Sequence, residues 1–193
     1  MNAIGDLMGQ GFCIHNLGLV DGESGDEEAA ADRFEQARSI FRRIDCIKGE
    51  SQTLYSLGQM HRRRGNYEAA KVLLEQALQV RRRVGFSRGE SKALADLGRV
   101  LLHLGDERGA IEAGCQAVHI AERIGARSTH AYNLTQLGHI WTDLEHWEKA
   151  AQSYRFAISL RRELGQAHLL PEPLAGLAQA YLFGCEPDQP RPW

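Results

Sequence analysis

The sequence predicts an all-α fold: a right-handed α-α superhelix of about four helix-pair units, closed by a single C-terminal half-unit helix. Two observations predict it. A pattern of apolar and small residues returns every 40 residues without slipping, and a fixed period of this length marks stacked supersecondary units. The composition also suits long helices, with 7 % aromatic residues and 5 prolines, whereas strands favour aromatic and β-branched residues. The units fall near residues 4–45, 49–85, 89–125 and 129–165, with the half-unit at 169–184. Residues 1–185 are expected to form one solenoid and 186–193 a disordered tail.

The first helix of each unit carries the signature. Leu17-Gly18, Leu57-Gly58, Leu97-Gly98 and Leu137-Gly138 recur in register, followed by Leu177-Ala178. Three residues before each pair stands an aliphatic: Ile14, Leu54, Leu94, Leu134 and Leu174. Apolar positions three and four apart, such as Leu54, Leu57 and Met60, make one helical face. The glycine removes a side chain where a neighbouring helix must come close. First helices are expected near 4–21, 50–64, 89–104, 129–144 and 171–183.

The second helices are expected near 27–44, 67–84, 107–124 and 147–164. Their alanines recur seven residues apart, as in Ala30 and Ala37 or Ala150 and Ala157, with Phe34, Leu74, Gly114 and Tyr154 between them. Gly25-Asp26, Gly65-Asn66 and Gly105-Asp106 read as a glycine stop followed by an N-cap. Gly85, Gly125 and Gly165 stop the second helices, and Ser87 with Glu90 reads as a capping box. One helix pair cannot bury its apolar face alone, so stability comes from stacking neighbours.

Aliphatic-x-x-Leu-Gly-x-x, then Ala-x-x-x-large, then Ala, resembles the tetratricopeptide repeat over roughly residues 4–183. Trp141 and Tyr181 stand in the aromatic slot after the Leu-Gly pair; His61 and Leu101 take it in the second and third units, and Asp21 departs from it. The usual period is about 34 residues with a proline closing the second helix. Here the period is 40, and Arg42, Arg82, Glu122 and Arg162 stand where that proline would fall. The chain therefore resembles the long-repeat variety of kinesin light chains, Leu-Gly-Asn-repeat adaptors, and the sensor arrays of bacterial signalling ATPases and transcriptional activators. The resemblance implies a non-catalytic protein- or peptide-binding scaffold, or a regulatory domain that senses an effector or signal peptide.

It also implies that the first helices line a concave groove. The groove-facing positions are then Phe12, His15 and Leu19 in the first unit, and Gln52, Tyr55, Gln59, Arg62 and Arg63 in the second. Lys92, Arg99 and His103 follow in the third, and Tyr132, Thr135, His139 and Asp143 in the fourth. Such a set, cationic at its middle with Tyr55 and Tyr132 as flat platforms, suits an acidic or extended peptide. Chaperone-binding members of the family grip a C-terminal carboxylate with a Lys/Asn/Asn/Lys/Arg set. The matching positions here carry His15, Leu19, Tyr55, Gln59, Lys92 and Arg99, of which the last two are compatible, so that mode is not expected.

Other function classes find little footing. The formal net charge is -2, which offers no field for nucleic acid or an acidic membrane. The arginines at 42–43, 81–83, 123 and 161–162 read as helix C-terminal cations that answer the backbone dipole. No cofactor, metal site or catalytic constellation is read: His139, Asp143 and His146 lack a further ligand at a suitable spacing. The histidines are taken as scattered surface or groove residues. Cys13, Cys46, Cys115 and Cys185 form no C-x-x-C pair and read as small buried thiols in a reducing cytoplasm. The apolar residues left at the first and last helices suggest a piece of a longer array, or a homodimer through the exposed ends.

Overall fold

The computed structural model describes residues 3–184; the expected tail at 186–193 lies outside them. The chain forms two compact units, Met1–Phe86 and Ser87–Trp193. The first holds α1 (Ala3–Ser24), α2 (Glu27–Arg43), α3 (Ile47–Arg63) and α4 (Tyr67–Arg83). The second holds α5 (Ser87–His103), α6 (Glu107–Arg123), α7 (Arg127–Asp143) and α8 (Trp147–Glu163). A short 3-10 turn (Ala167–Leu169) then leads into α9 (Pro171–Gly184). The helices pack as consecutive antiparallel pairs, with α9 laid on α8 and touching α7. No strand occurs among the described residues, and no described helix is long and apolar enough to cross a membrane.

The period has a simple origin. From α2 to α8 each helix is 17 residues long, and three residues join each to the next. The joints are Schellman turns: at Gly65 (φ +75) the Gly65 N–H donates to Arg62 O at 3.1 Å and the Asn66 N–H to His61 O at 2.9 Å, which satisfies two orphan carbonyls. Two joints lack glycine, and Asp45 (φ 51) and Glu145 (φ 59) adopt the left-handed conformation instead.

Because the turn is complete in three residues, the next helix restarts at once. The first helices α3, α5 and α7 therefore begin two to three residues earlier than the sequence suggests. Ser87 is already inside α5, so the expected Ser87/Glu90 capping box does not open that helix. Asp26 and Asp106 do cap: their carboxylates accept from Ala29 N–H at 3.1 Å and Gly109 N–H at 2.8 Å. Asn66 holds the same position with no side-chain bond.

Each Leu-Gly glycine marks where a pair closes. A Cβ on Gly18 would stand 2.9 Å from Phe34, and one on Gly58 2.9 Å from Leu74. In the third repeat Gly114 replaces the large residue, and a Cβ on Gly98 would meet the Ala110 carbonyl oxygen at 2.9 Å; Ile140 of α7 fills the space left. Leu57, Leu97 and Leu137 enter the core, whereas Leu17 stays 47 % exposed. Leu57 packs with Ala30, Phe34 and Met60 in the first unit, and Leu137 with Trp141, Ala151, Tyr154 and Ala180 in the second. Burying each large apolar side chain contributes about 1.5–3 kcal/mol.

Two expectations need correction. Cys13 and Cys115 are exposed on the outward arcs of α1 and α6, and Cys46 is half-buried in the joint before α3, all as free thiols; Cys185 lies outside the described residues. His15 is 1 % exposed and packs on Phe34 with ring centroids 5.3 Å apart, so it belongs to the core of the first pair.

Candidate functional site

In the first unit the predicted residues cluster on α3. Tyr55 and Gln59 lie one turn apart and are half-buried, and Gln59 Nε2 donates to the Tyr55 hydroxyl at 3.0 Å. The ring of Tyr55 does not offer both faces. The guanidinium of Arg81, a residue 4 % exposed at the end of α4, lies 4.3 Å from its centroid, a cation–π arrangement. Arg62 is half-buried, with its Nε buried and without a hydrogen-bond partner; Arg63 is exposed. Arg63 reaches across Gly22 of α1 and stands at the edge of a recess of about 170 Å³ lined by Gly18, Leu19, Gly22, Phe34 and Gln59.

In the second unit α5 and α7 carry the rest. Lys92 is exposed, and its ammonium stands 5.7 Å from the Tyr132 ring centroid. The Tyr132 hydroxyl donates to Asp96 Oδ1 at 2.7 Å, and Asp96 is fully buried. Arg99 Nη2 lies 3.6 Å from Asp143 Oδ2, while Arg99 Nε and Nη1 are buried with no hydrogen-bond partner. His103 is exposed at the end of α5. Thr135 is 0 % exposed and donates to the Ala131 carbonyl oxygen at 2.9 Å, which leaves it nothing to offer a partner on this face.

His139 joins three helices. Its Nδ1 lies 2.9 Å from the Tyr154 hydroxyl on α8, and its Nε2 lies 3.0 Å from Glu172 Oε1 on α9. The hydrogen bond from His139, chiefly, holds the Glu172 carboxyl below its ordinary value against the opposing effect of burial. Burial pushes the Tyr154 phenol up. Beneath this network Arg161 is 3 % exposed, and burial lowers its guanidinium from the usual value.

Sequence reasoning missed Arg81, Asp96, Tyr154, Arg161 and Glu172. Arg81 and Arg161 sit at equivalent positions two repeats apart, and that recurrence was the available signal: both turn inward, unlike the solvated cations beside them. Asp96 and Glu172 carried none, because each is defined by a tyrosine or histidine 36 or 33 residues away.

Residues 50–123 match the tetratricopeptide repeat family. No curated protein matches the sequence. Among solved structures, the fold is similar to BtubC (BKLC) from P. vanneervenii, with TM-score 0.66 and 14 % identity over 95 % of this chain and 85 % of that one. It is similar to the apo form of RapI, with TM-score 0.67 and 13 % identity over 88 % of this chain and 47 % of that one. It is also similar to a signal transduction ATPase with numerous domains, carrying a tetratricopeptide repeat sensor, from Pyrococcus horikoshii. There the TM-score is 0.72 and the identity 16 %, over 91 % of this chain and 28 % of that one. The chain thus spans under half of RapI and little over a quarter of the ATPase.

Proposed function

We propose that this chain, a tetratricopeptide-type helical repeat protein, binds an acidic protein segment through the polar faces of α5 and α7 in its second unit and performs no chemistry of its own. The observation that carries this reading is Arg99. Its Nε and Nη1 are buried with no hydrogen-bond partner, and a buried donor left unmade costs about 1–3 kcal/mol. A carboxylate is the group that satisfies a guanidinium in pairs of bonds. Lys92 extends the cationic surface, and Tyr132 and His103 supply a ring edge and hydrogen-bonding groups around it. A cytoplasmic setting is part of the same reading. The test is an array of Glu- and Asp-containing peptides beside their Gln and Asn counterparts. Retention of the acidic members, lost when Lys92 and Arg99 are replaced by Ala with helicity unchanged, supports the assignment. Equal retention of both sets, or binding that survives the double substitution, sinks it.

The resemblance to the repeat sensor of the signalling ATPase favours a second reading, in which the same residues sense an effector or signal peptide for an attached or partner protein. The two readings separate by what binding does. A scaffold keeps its solution scattering profile when an acidic peptide binds; a sensor changes it.

A further inference from the structure

Helix α9 repeats the pattern of α7 forty residues on, so the two compare position by position. In α7, Leu134, Leu137 and Trp141 are 7–9 % exposed, the latter two packed with Ala150, Ala151 and Tyr154 of α8. Two of their counterparts in α9 stand open, Leu174 at 41 % and Tyr181 at 44 % exposed, and Leu182 beyond them reaches 77 %, whereas Leu177 packs against the α8 cluster. Phe156 on α8, 57 % exposed, and Tyr181 line a groove of about 740 Å³ between α8 and α9 that also carries Glu148, Gln152 and Arg155, and Leu174 lines a second recess with Ile158 and Leu177. Large apolar side chains exposed together on one helix mark an interaction site.

The repeat itself states what fits there. In α1, α3 and α7 the position after the motif leucine is glycine, and the second helix sets a large residue on it. A Cβ at that point would stand 2.9 Å from Phe34, 2.9 Å from Leu74 and 2.5 Å from Tyr154. In α9 this position is Ala178, which carries that Cβ. A helix of the ordinary second kind, with its large residue, is therefore kept off, and the covering element has to present a small residue. Helix α9 does so itself, because Ala175 and Ala178 lie one turn apart on its exposed arc. Its one charged residue is Glu172, in the first turn, so two copies of the face meet without like-charge repulsion along their length.

We propose that this face is a self-association surface. Two copies of the chain pair through α9, antiparallel about a two-fold axis, with Ala175 of one copy against Ala178 of the other. Leu174, Tyr181 and Leu182 close the flanks. The two-fold makes the contact isologous, so each residue pair occurs twice. The pairing continues outward the pair geometry that α8 makes with α7, with small residues on both sides in place of glycine against a large ring. It uses none of the residues assigned to peptide binding and stands or falls apart from that assignment.

Sedimentation equilibrium of the full chain, from micromolar to near-millimolar concentration, tests it. The expected mass at the upper end is that of two chains. Ala178→Glu and Leu182→Glu should each return it to one chain, with helical circular dichroism unchanged. Should Ala178→Glu lose helicity, the more exposed Leu182→Glu decides. A wild-type chain that stays single assigns the face to a helix of another protein and overturns the proposal, as does a dimer that both charged variants leave intact.

Discussion

The ring of Tyr154 occupies the space a side chain on Gly138 would need: a Cβ there would stand 2.5 Å from Tyr154 Cε1. Tyr154 is fully buried and its hydroxyl is engaged by both Thr142 and His139, so the ring cannot swing aside freely. Gly138→Leu should lower stability by about 1–3 kcal/mol through overpacking, read as a fall in the urea midpoint. Gly98→Leu should cost at least as much, because the obstacle there is the Ala110 carbonyl oxygen rather than a side chain. Gly9 is the control. A Cβ there meets nothing within 4 Å, and Gly9→Ala should be neutral or gain up to about 1 kcal/mol of helix propensity. Equal losses at all three positions would show that close approach is not what the glycines provide.

Glu145 and Asp45 hold the left-handed conformation that glycine takes at the other joints. An L-residue there costs roughly 1–2 kcal/mol, and glycine gives part of that back through the looser unfolded chain. Glu145→Gly should raise the thermal midpoint. Asp45→Gly should raise it less, since aspartate tolerates this region better. Unchanged or lowered midpoints in both would contradict the strain.

Asp106 and Asn66 occupy the same N-cap position, and Asp106 makes the bond. Asp106→Ala should cost about 1 kcal/mol, whereas Asn66→Ala should cost only a few tenths. Parallel urea melts of the two variants read the difference, and equal losses would remove the distinction.

Acid should destabilise the chain in two steps. Burial holds the His15 imidazole below its ordinary value, so the unfolded chain takes up a proton first. Stability then falls as pH drops through the unfolded imidazole range near about 6.5. The Glu172 carboxyl is depressed mainly by its bond to His139. Its contribution is complete above the unfolded carboxylate range and is lost as pH falls through the depressed value. His15→Gln should shrink the upper step, to which His130, also lowered by burial, adds, and Glu172→Gln should remove the lower, in urea midpoints measured from neutral to acid pH. A single step that neither variant alters would refute both assignments.

The architecture was legible because it rests on a constraint that must recur. Three of the four helix pairs close where glycine meets a large residue, and Gly18 with Phe34, Gly58 with Leu74 and Gly138 with Tyr154 write that constraint at fixed spacing. The individual groove positions were less legible. Thr135 is equivalent to Tyr55, yet one is buried and the other half-exposed, because the fate of each position depends on what the next helices bring to it. His15 went inside for the same reason: Phe34 and Thr53 close over it. Helix starts were misplaced by a turn shorter than the sequence suggested, which also moved Ser87 from cap to helix.

The uniform turn of three residues between helices of 17 has an evolutionary reading. Each helix carries its apolar arc at the same rotation relative to the turn before it, so a gain or loss of one residue inside a helix rotates every later position in that helix off its neighbour. Length can change without that penalty only in whole modules of forty residues. Members of this lineage should differ from one another by entire helix pairs, with shorter insertions confined to the joints.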